Sequence, residues 1–259
     1  MNPASAITLY FAFAVLIIQS LMKAVSFFMS PRRFRTRMNT LRMAFAPVNS
    51  TETLARSSPL TLRGLGQLIR RGSIFAVATV LVYLFLPPLL SRSSIPWPVK
   101  SYFAITPCWL LMEMGNVLFQ LNFIGFGLIV PRTNNQPWLA RTIAEFWGTR
   151  WNCWWSDWLR QVCFRPFRRR PIAGIIAAFT ASAILHEALI NIPLWLVYHR
   201  NLFGTMLLYF LVQAGGVFVE RRWFRLSRAV GIVLTWLTIL LPAPLVLNEG
   251  VLRIFHLAS

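Results

Sequence analysis

A histidine in the middle of an apolar run is the residue of this chain best suited to chemistry. His186 lies about 15 residues into the run that begins at Pro171, about 22 Å along a straight helix. If this run crosses a membrane, its histidine is costly to bury and is a functional candidate for that reason. A neutral imidazole can accept a proton near neutral pH, as a general base must. We therefore consider His186 a candidate base, with a packed, hydrogen-bonded histidine as the alternative.

Acidic side chains in apolar runs are the next candidates. Glu187 follows His186 directly, and a helix turns it by about 100° to a different face. It either pairs with a cation on another helix or stays protonated, and both alternatives remain open. Glu113 forms a polar stripe with Asn116 and Gln120 at i, i+3 and i+7. Such stripes line a pathway or join helices through hydrogen bonds, and for Glu113 we expect the lining role.

A tryptophan-rich run precedes the histidine. On a helical wheel its indoles share one stripe at i, i+4, i+7 or i+8, and i+11, formed by Trp147, Trp151, Trp154 or Trp155, and Trp158. This pattern predicts an amphipathic helix along the membrane interface, where an indole buries its ring and keeps its N–H wet. Asn152 lies in the same run and can both donate and accept hydrogen bonds. Its amide could hold a thioester carbonyl or a developing oxyanion, although such an asparagine is often simply solvated.

The composition indicates the elements that must position these residues. The 259 residues are 56% apolar and 14% aromatic, and the mean hydropathy is +0.57. These values predict an integral membrane protein with a single membrane domain over residues 1–259. The three cysteines show neither CxxC spacing nor a nearby histidine pair, so we expect neither a disulfide framework nor a metal site. No basic residue precedes the first apolar run, which predicts a retained span in place of a cleaved signal peptide.

Six apolar runs approach the roughly 20 residues that a membrane-crossing helix needs. They cover about 4–22, 73–90, 101–130, 171–197, 202–219 and 229–248. The third is long for one span, and Gly125 and Gly127 predict a break near its end. The expected fold is therefore all-α, a polytopic membrane protein with about six transmembrane helices plus interfacial amphipathic helices.

The basic residues lie between these runs and predict an orientation. With the N-terminus outside, the inner connections hold 21 arginines and the outer ones hold four basic residues. Residues 31–72 and 131–170 are then basic cytoplasmic loops, the first with little sustained apolar period. Because this alternation explains the net charge of +19, we expect no nucleic-acid partner.

Two blocks of sequence together resemble a known family. Glu145-Phe-Trp-Gly-Thr-Arg-Trp-Asn152, with Ser156-Asp157-Trp-Leu-Arg160 and Phe164-Arg-Pro-Phe167 after it, resembles the Phe-Trp-x-x-Arg-Trp-Asn block of wax synthase-like membrane-bound O-acyltransferases. Ala181-Ser-Ala-Ile-Leu-His186-Glu187 resembles the second block of that family. The motif region is thus 145–187, with Glu145 where an aspartate is common.

The resemblance implies transfer of a fatty acyl group from acyl-CoA to a lipophilic alcohol. His186 would be the base and Asn152 would assist at the carbonyl, with acyl-CoA as a co-substrate and no cofactor. Arg150, Arg160 and the cluster 168–170 are the best candidates for the CoA phosphates. The substrate-binding set that we predict comprises Trp147, Arg150, Trp151, Arg160, Glu187 and Glu113.

Two alternatives differ in class from an enzyme. A membrane transporter or lipid-binding protein could use the polar stripes of Glu113 and His186 as a pathway, although no transporter-like repeat is apparent. A scaffold that keeps the fold without the chemistry is the other. The oligomeric state, the acceptor, the acyl length and the membrane, bacterial inner membrane or endoplasmic reticulum, stay open.

Overall fold

The structure is a computed structural model that describes residues 2–45, 48–92, 94–222 and 228–257. Most of these residues are helical, and their β structure is one antiparallel ladder between β1 (Ser58–Pro59) and β2 (Leu128–Ile129). In chain order the helices are α1 (Pro3–Met29), α2 (Arg37–Phe45), α3 (Thr51–Ala55), α4 (Leu62–Arg92), α5 (Trp97–Phe103), α6 (Ile105–Ile124), α7 (Ile143–Glu145), α8 (Cys153–Leu159), α9 (Pro171–His186), α10 (Ile192–Tyr198), α11 (Thr205–Arg222), α12 (Arg228–Leu240), α13 (Ala243–Val246) and α14 (Glu249–Ile254).

Five helical stretches among the described residues are long and apolar enough to cross a membrane. They are Pro3–Met29, Leu62–Leu90, Trp97–Ile124, Pro171–Tyr198 and Ala229–Val246. Large apolar side chains on them point away from the protein, such as Leu16 on α1 and Phe85 on α4, which are 63% and 72% exposed. Such surfaces suit lipid. The chain is an all-α, multi-pass integral membrane protein, as its composition predicts.

The remaining predicted span, 202–219, differs from the other five. It forms α11, but this helix has 18 residues and its last turn carries Glu220, Arg221 and Arg222. It is therefore not among the helices that satisfy length and composition. Its inward face is extensively buried and includes Met206, Tyr209, Phe210 and Gln213.

The long third run breaks where its glycines predict. α6 ends at Ile124 with Gly125 as its C-cap, and Gly127 adopts a positive φ of 64° before β2 begins. Glycine adopts this left-handed conformation without the steric cost that a Cβ would add. The chain thus leaves α6 through a tight turn.

Residues 31–72 are more helical than the sequence suggests, because they contain a 3₁₀ turn (Arg32–Phe34), α2, α3 and the first turns of α4. The sequence predicted a basic cytoplasmic loop with little sustained apolar period, and it did not predict these helices. Their polar residues have structural partners: Ser50 caps α3 by accepting from the Glu52 N–H, and the Thr51 N–H donates to Ser26. Residues used as caps and buried hydrogen-bond donors interrupt the apolar period while helices still form.

Three π-helical turns lie among the described residues, at Phe146–Arg150, Arg160–Phe164 and Glu187–Asn191. All of them lie in or directly after the motif region. The third joins α9 to α10, so that Pro171–Tyr198 is one helix of 28 residues with His186 near its middle. Such turns insert a residue into a helix and often mark functional sites.

Candidate functional site

His186 is the last residue of α9, immediately before a π-helical turn. Its Nδ1 lies 2.7 Å from the backbone carbonyl oxygen of Ser182, one turn earlier. A carbonyl oxygen can only accept, so Nδ1 must carry a hydrogen and donate it. In the neutral ring the lone pair is then on Nε2. The backbone therefore sets the tautomer that a general base requires.

Aromatic rings surround this imidazole on two sides. The ring of Trp155, on α8, is centred 5.1 Å away, and that of Phe210, on α11, is 4.8 Å away. Phe210 also packs against Trp147 with ring centres 5.7 Å apart. Two sequence blocks that are about 40 residues apart thus meet on one buried phenylalanine.

The tryptophans do not form one stripe along one helix, and this prediction was wrong. The π-helical turn ends at Arg150, Asn152 has a positive φ of 39°, and α8 begins at Cys153.

The indoles consequently contact different parts of the protein. The indole N–H of Trp147 donates to the side-chain oxygen of Gln213. That of Trp154 donates to the carbonyl of Pro131, and that of Trp158 donates to the carbonyl of Met22. Trp151 stacks on Phe146 with ring centres 5.8 Å apart.

Asn152 occupies the kink between these two helical segments. Its left-handed conformation is one that asparagine tolerates better than most residues. Its carboxamide makes no hydrogen bond with any residue that the structure describes, whereas its backbone N–H donates to the side-chain oxygen of Asn134 at 2.9 Å. The backbone is thus held while the amide group stays available.

Residues 131–135 support this kink through hydrogen bonds. The carbonyl of Thr133 accepts from the Cys153 N–H at 2.6 Å, and the amide of Asn134 donates to Glu113 at 3.0 Å. Glu113 in turn forms an ion pair with Arg71 of α4 at 2.9 Å. Glu113 therefore joins α6 to α4 and supports Asn152 through Asn134, while its place in the substrate-binding set stays a prediction.

Arg150 and Arg160 have protein partners. Arg150 pairs with Glu145 at 2.6 Å and also donates to the carbonyls of Asn135 and Gln136. Arg160 donates to the carbonyl of Gly148 at 2.8 Å and lies 3.6 Å from Asp157. These contacts stabilise the π-helical turn, whose carbonyls lack ordinary helical partners. Contact with a phosphate stays a prediction for both arginines.

The carboxyl group of Glu145 is in its charged form in the ion pair with Arg150. Burial acts to raise the pKa of this carboxyl group. The backbone N–H of Arg141 and the guanidinium of Arg150 outweigh burial and hold the pKa below its ordinary value.

Glu187 points away from His186 and caps another helix. One of its oxygens, Oε1, accepts from the backbone N–H groups of Gly204 and Met206 at 2.8 and 3.0 Å. The other accepts from Asn191 at 2.6 Å. These partners stand where the sequence suggested a cation or a proton. The carboxyl oxygens of Glu187 thus serve N–H groups of the first turn of α11 that have no partner within that helix.

His186 and Asn152 share no direct hydrogen bond among the described residues. They are linked by the first turn of α8, which begins after Asn152 and places Trp155 against the imidazole. Sequence reasoning missed three residues of this neighbourhood: Ser182, Phe210 and Asn134. The i−4 position of Ser182 relative to His186 was the one signal that could have found it.

Comparisons with known proteins agree with this arrangement. The model of the Membrane bound O-acyl transferase family matches residues 130–211, which contain both blocks. A probable long-chain-alcohol O-fatty-acyltransferase 3 of Arabidopsis thaliana is 31% identical over 130 residues, 44% of this chain and 38% of that protein. A long-chain-alcohol O-fatty-acyltransferase of Simmondsia chinensis is 38% identical over 63 residues, 20% of this chain and 18% of that protein.

A third relative is named for a different activity. Diacylglycerol O-acyltransferase 1 of Dictyostelium discoideum is 30% identical over 112 residues, 42% of this chain and 17% of that protein. The chain thus matches well under half the length of each of these curated relatives. Over residues 130–211 the chain is therefore similar to membrane-bound O-acyltransferases, and long-chain-alcohol O-fatty-acyltransferases are among its relatives.

Proposed function

We propose that this chain transfers a fatty acyl group from acyl-CoA to the hydroxyl of a long-chain alcohol. The observation that carries the proposal is the hydrogen bond from His186 Nδ1 to the Ser182 carbonyl, which leaves Nε2 free to accept a proton. The imidazole lies near the middle of a 28-residue apolar helix, at a membrane depth into which a lipophilic alcohol partitions. The activities for which its relatives are named support the reaction class.

The reaction has two proton transfers. Nε2 of His186 takes the alcohol proton as the alcohol oxygen attacks the thioester carbonyl carbon. The free carboxamide of Asn152 donates to the oxyanion that forms. When the intermediate collapses, the carbon–sulfur bond breaks and the CoA thiolate takes the proton from the imidazolium. The products are an ester and free CoA, and His186 is neutral again.

The aromatic rings around His186 serve this chemistry in two ways. Trp155 and Phe210 hold the imidazole in one orientation, so that Nε2 faces one direction. They also surround the imidazole with apolar groups that exclude water. The acyl group is therefore transferred to the alcohol and is not hydrolysed.

The hydrogen bonds of Glu113 and Glu187 do not favour the alternative function of a transporter. Glu113 is paired with Arg71 and Asn134, and Glu187 is bound to the start of α11 and to Asn191. Side chains whose hydrogen-bonding groups are used in this way join helices and offer few groups to a passing solute.

The proposal is tested by thiol release from acyl-CoA with purified protein and a panel of fatty alcohols, diacylglycerol and sterols. We expect turnover with fatty alcohols and its loss in His186→Ala. His199→Asn is the matched control, because His199 is exposed and has a positive φ that asparagine tolerates. Full turnover in His186→Ala would exclude this base. No thiol release with any acceptor would exclude the activity.

A further inference from the structure

A basic cavity lies apart from His186. It has a volume of about 440 Å³, opens to the surface and is lined by the start of α4, the β1–β2 ladder and α6. Three arginines line it, Arg63, Arg71 and Arg132. None of its lining residues belongs to the 145–187 region, so the cavity is separate from the site of the proposed reaction.

The charges in this cavity are only partly compensated. Arg71 forms an ion pair with Glu113 at 2.9 Å. Arg63 and Arg132 form no ion pair with any residue in the described part of the chain, and both are exposed. Arg132 also lies close enough to Arg71 for the two positive charges to interact. Positive charges that lie close together and are only partly neutralised favour an anion beside them.

The position of the cavity suits the membrane surface. α4 is a candidate span, and two of the arginines, Arg63 and Arg71, lie in its first three turns, where a charged group remains at headgroup level. Apolar side chains on the same turns are exposed beside them: Leu62 is 90% exposed and Ile69 is 57% exposed. A ligand with a phosphate and an apolar chain can therefore satisfy both surfaces.

We propose that this cavity binds a phosphate group through Arg63 and Arg132, with Arg71 at its floor. Arginine recognises phosphate with two parallel N–H donors, and a cavity of this size accommodates a headgroup-sized ligand. The phosphate belongs either to a membrane phospholipid or to a soluble phosphate ester. The inference does not depend on the proposed function, because binding can be measured without turnover.

The test uses the full chain in neutral detergent and two probes. Inorganic pyrophosphate is titrated by calorimetry, and short-chain phosphatidic acid is titrated in mixed micelles against phosphatidylcholine of the same chain length. The variants are Arg63→Gln and Arg132→Gln. Arg70→Gln is the matched control, because Arg70 is an exposed arginine on the same helix that does not line the cavity.

We expect each cavity variant to weaken binding about tenfold or more, and Arg70→Gln to change it less than about twofold. Binding should also weaken as salt is raised and should persist in His186→Ala. Preference for phosphatidic acid identifies a lipid source, and binding of pyrophosphate alone identifies a soluble one. The proposal is overturned if neither probe binds, or if Arg70→Gln weakens binding as much as Arg132→Gln.

Discussion

The side-chain oxygen of Asn134 accepts a hydrogen bond from the backbone N–H of Asn152, and its amide nitrogen donates to Glu113. One buried side chain thus connects α6 with the kink that precedes α8. This matters because the kink determines where the Asn152 carboxamide points and where Trp155 meets His186. Asn134 is therefore a positioning residue for the proposed reaction.

Replacing Asn134 with alanine should lower turnover about tenfold or more. The Asn152 N–H would lose its acceptor, and a displacement of about 1 Å at a catalytic group is enough for such a loss. The measurement is the rate of thiol release at saturating alcohol. Asn135→Ala is the control, because its side chain is exposed and Asn135 uses its backbone N–H to reach the Arg150 carbonyl. Equal rates in the two variants would argue against the positioning role.

Two substitutions at Asn152, by glycine and by alanine, separate the chemical role of its carboxamide from the conformational role of its backbone. Glycine at this position tolerates the positive φ of 39°, whereas alanine costs about 1 kcal/mol of unfolding free energy. We expect both variants to lose thiol release to the same extent, since both lack the carboxamide. Only Asn152→Ala should unfold at a lower temperature in detergent. Normal turnover in Asn152→Gly would show that the carboxamide is not needed.

The sequence predicted the membrane class and the helix that carries His186, because long apolar runs and the break at Gly125 and Gly127 are local signals. Five of the six predicted spans reappear as long apolar helices. It could not predict that α11 would pack Phe210 between Trp147 and His186, because this contact joins segments that are distant in the chain.

The helical wheel failed at the tryptophan run for a physical reason. A wheel assumes one uninterrupted helix, and a single residue with positive φ at Asn152 redirects everything after it. Sequence patterns carry no direct signal for such a residue when it is not glycine. Likewise, the sequence left a cation or a proton open for Glu187, because the backbone N–H groups of a later helix cannot be seen in a local pattern.

Glu187 is predicted to act on stability more than on chemistry. Glu187→Gln removes the negative charge that accepts from the first turn of α11, and it places an amide donor next to Asn191. Hydrogen bonds to charged groups are each worth about 1.5–3 kcal/mol, so we expect a loss of about 2 kcal/mol in unfolding free energy. Thermal unfolding in detergent measures this loss.

Glu249→Gln provides the comparison for Glu187. Glu249 forms an ion pair with Arg253 at 2.8 Å one turn along a short helix, and both side chains are partly exposed. Such pairs contribute about 0.3–0.5 kcal/mol, so the unfolding temperature should hardly change. If Glu187→Gln unfolds normally but loses turnover, Glu187 contacts the substrate, as the sequence-based set proposes.

The ion pair of Glu145 with Arg150 should make the π-helical turn sensitive to acid. The folded-state pKa of Glu145 lies below its ordinary value of 4.5, so its stabilising contribution is complete above that value. The contribution is lost as the pH falls through the lower, folded-state pKa. Glu145→Gln should therefore lower the unfolding temperature at pH 7, and the difference from the wild type should shrink once the pH falls below about 4.5. The test measures the unfolding temperatures of both proteins between pH 7 and pH 3. A difference that stays constant across this range would mean that the charge of Glu145 does not stabilise the turn.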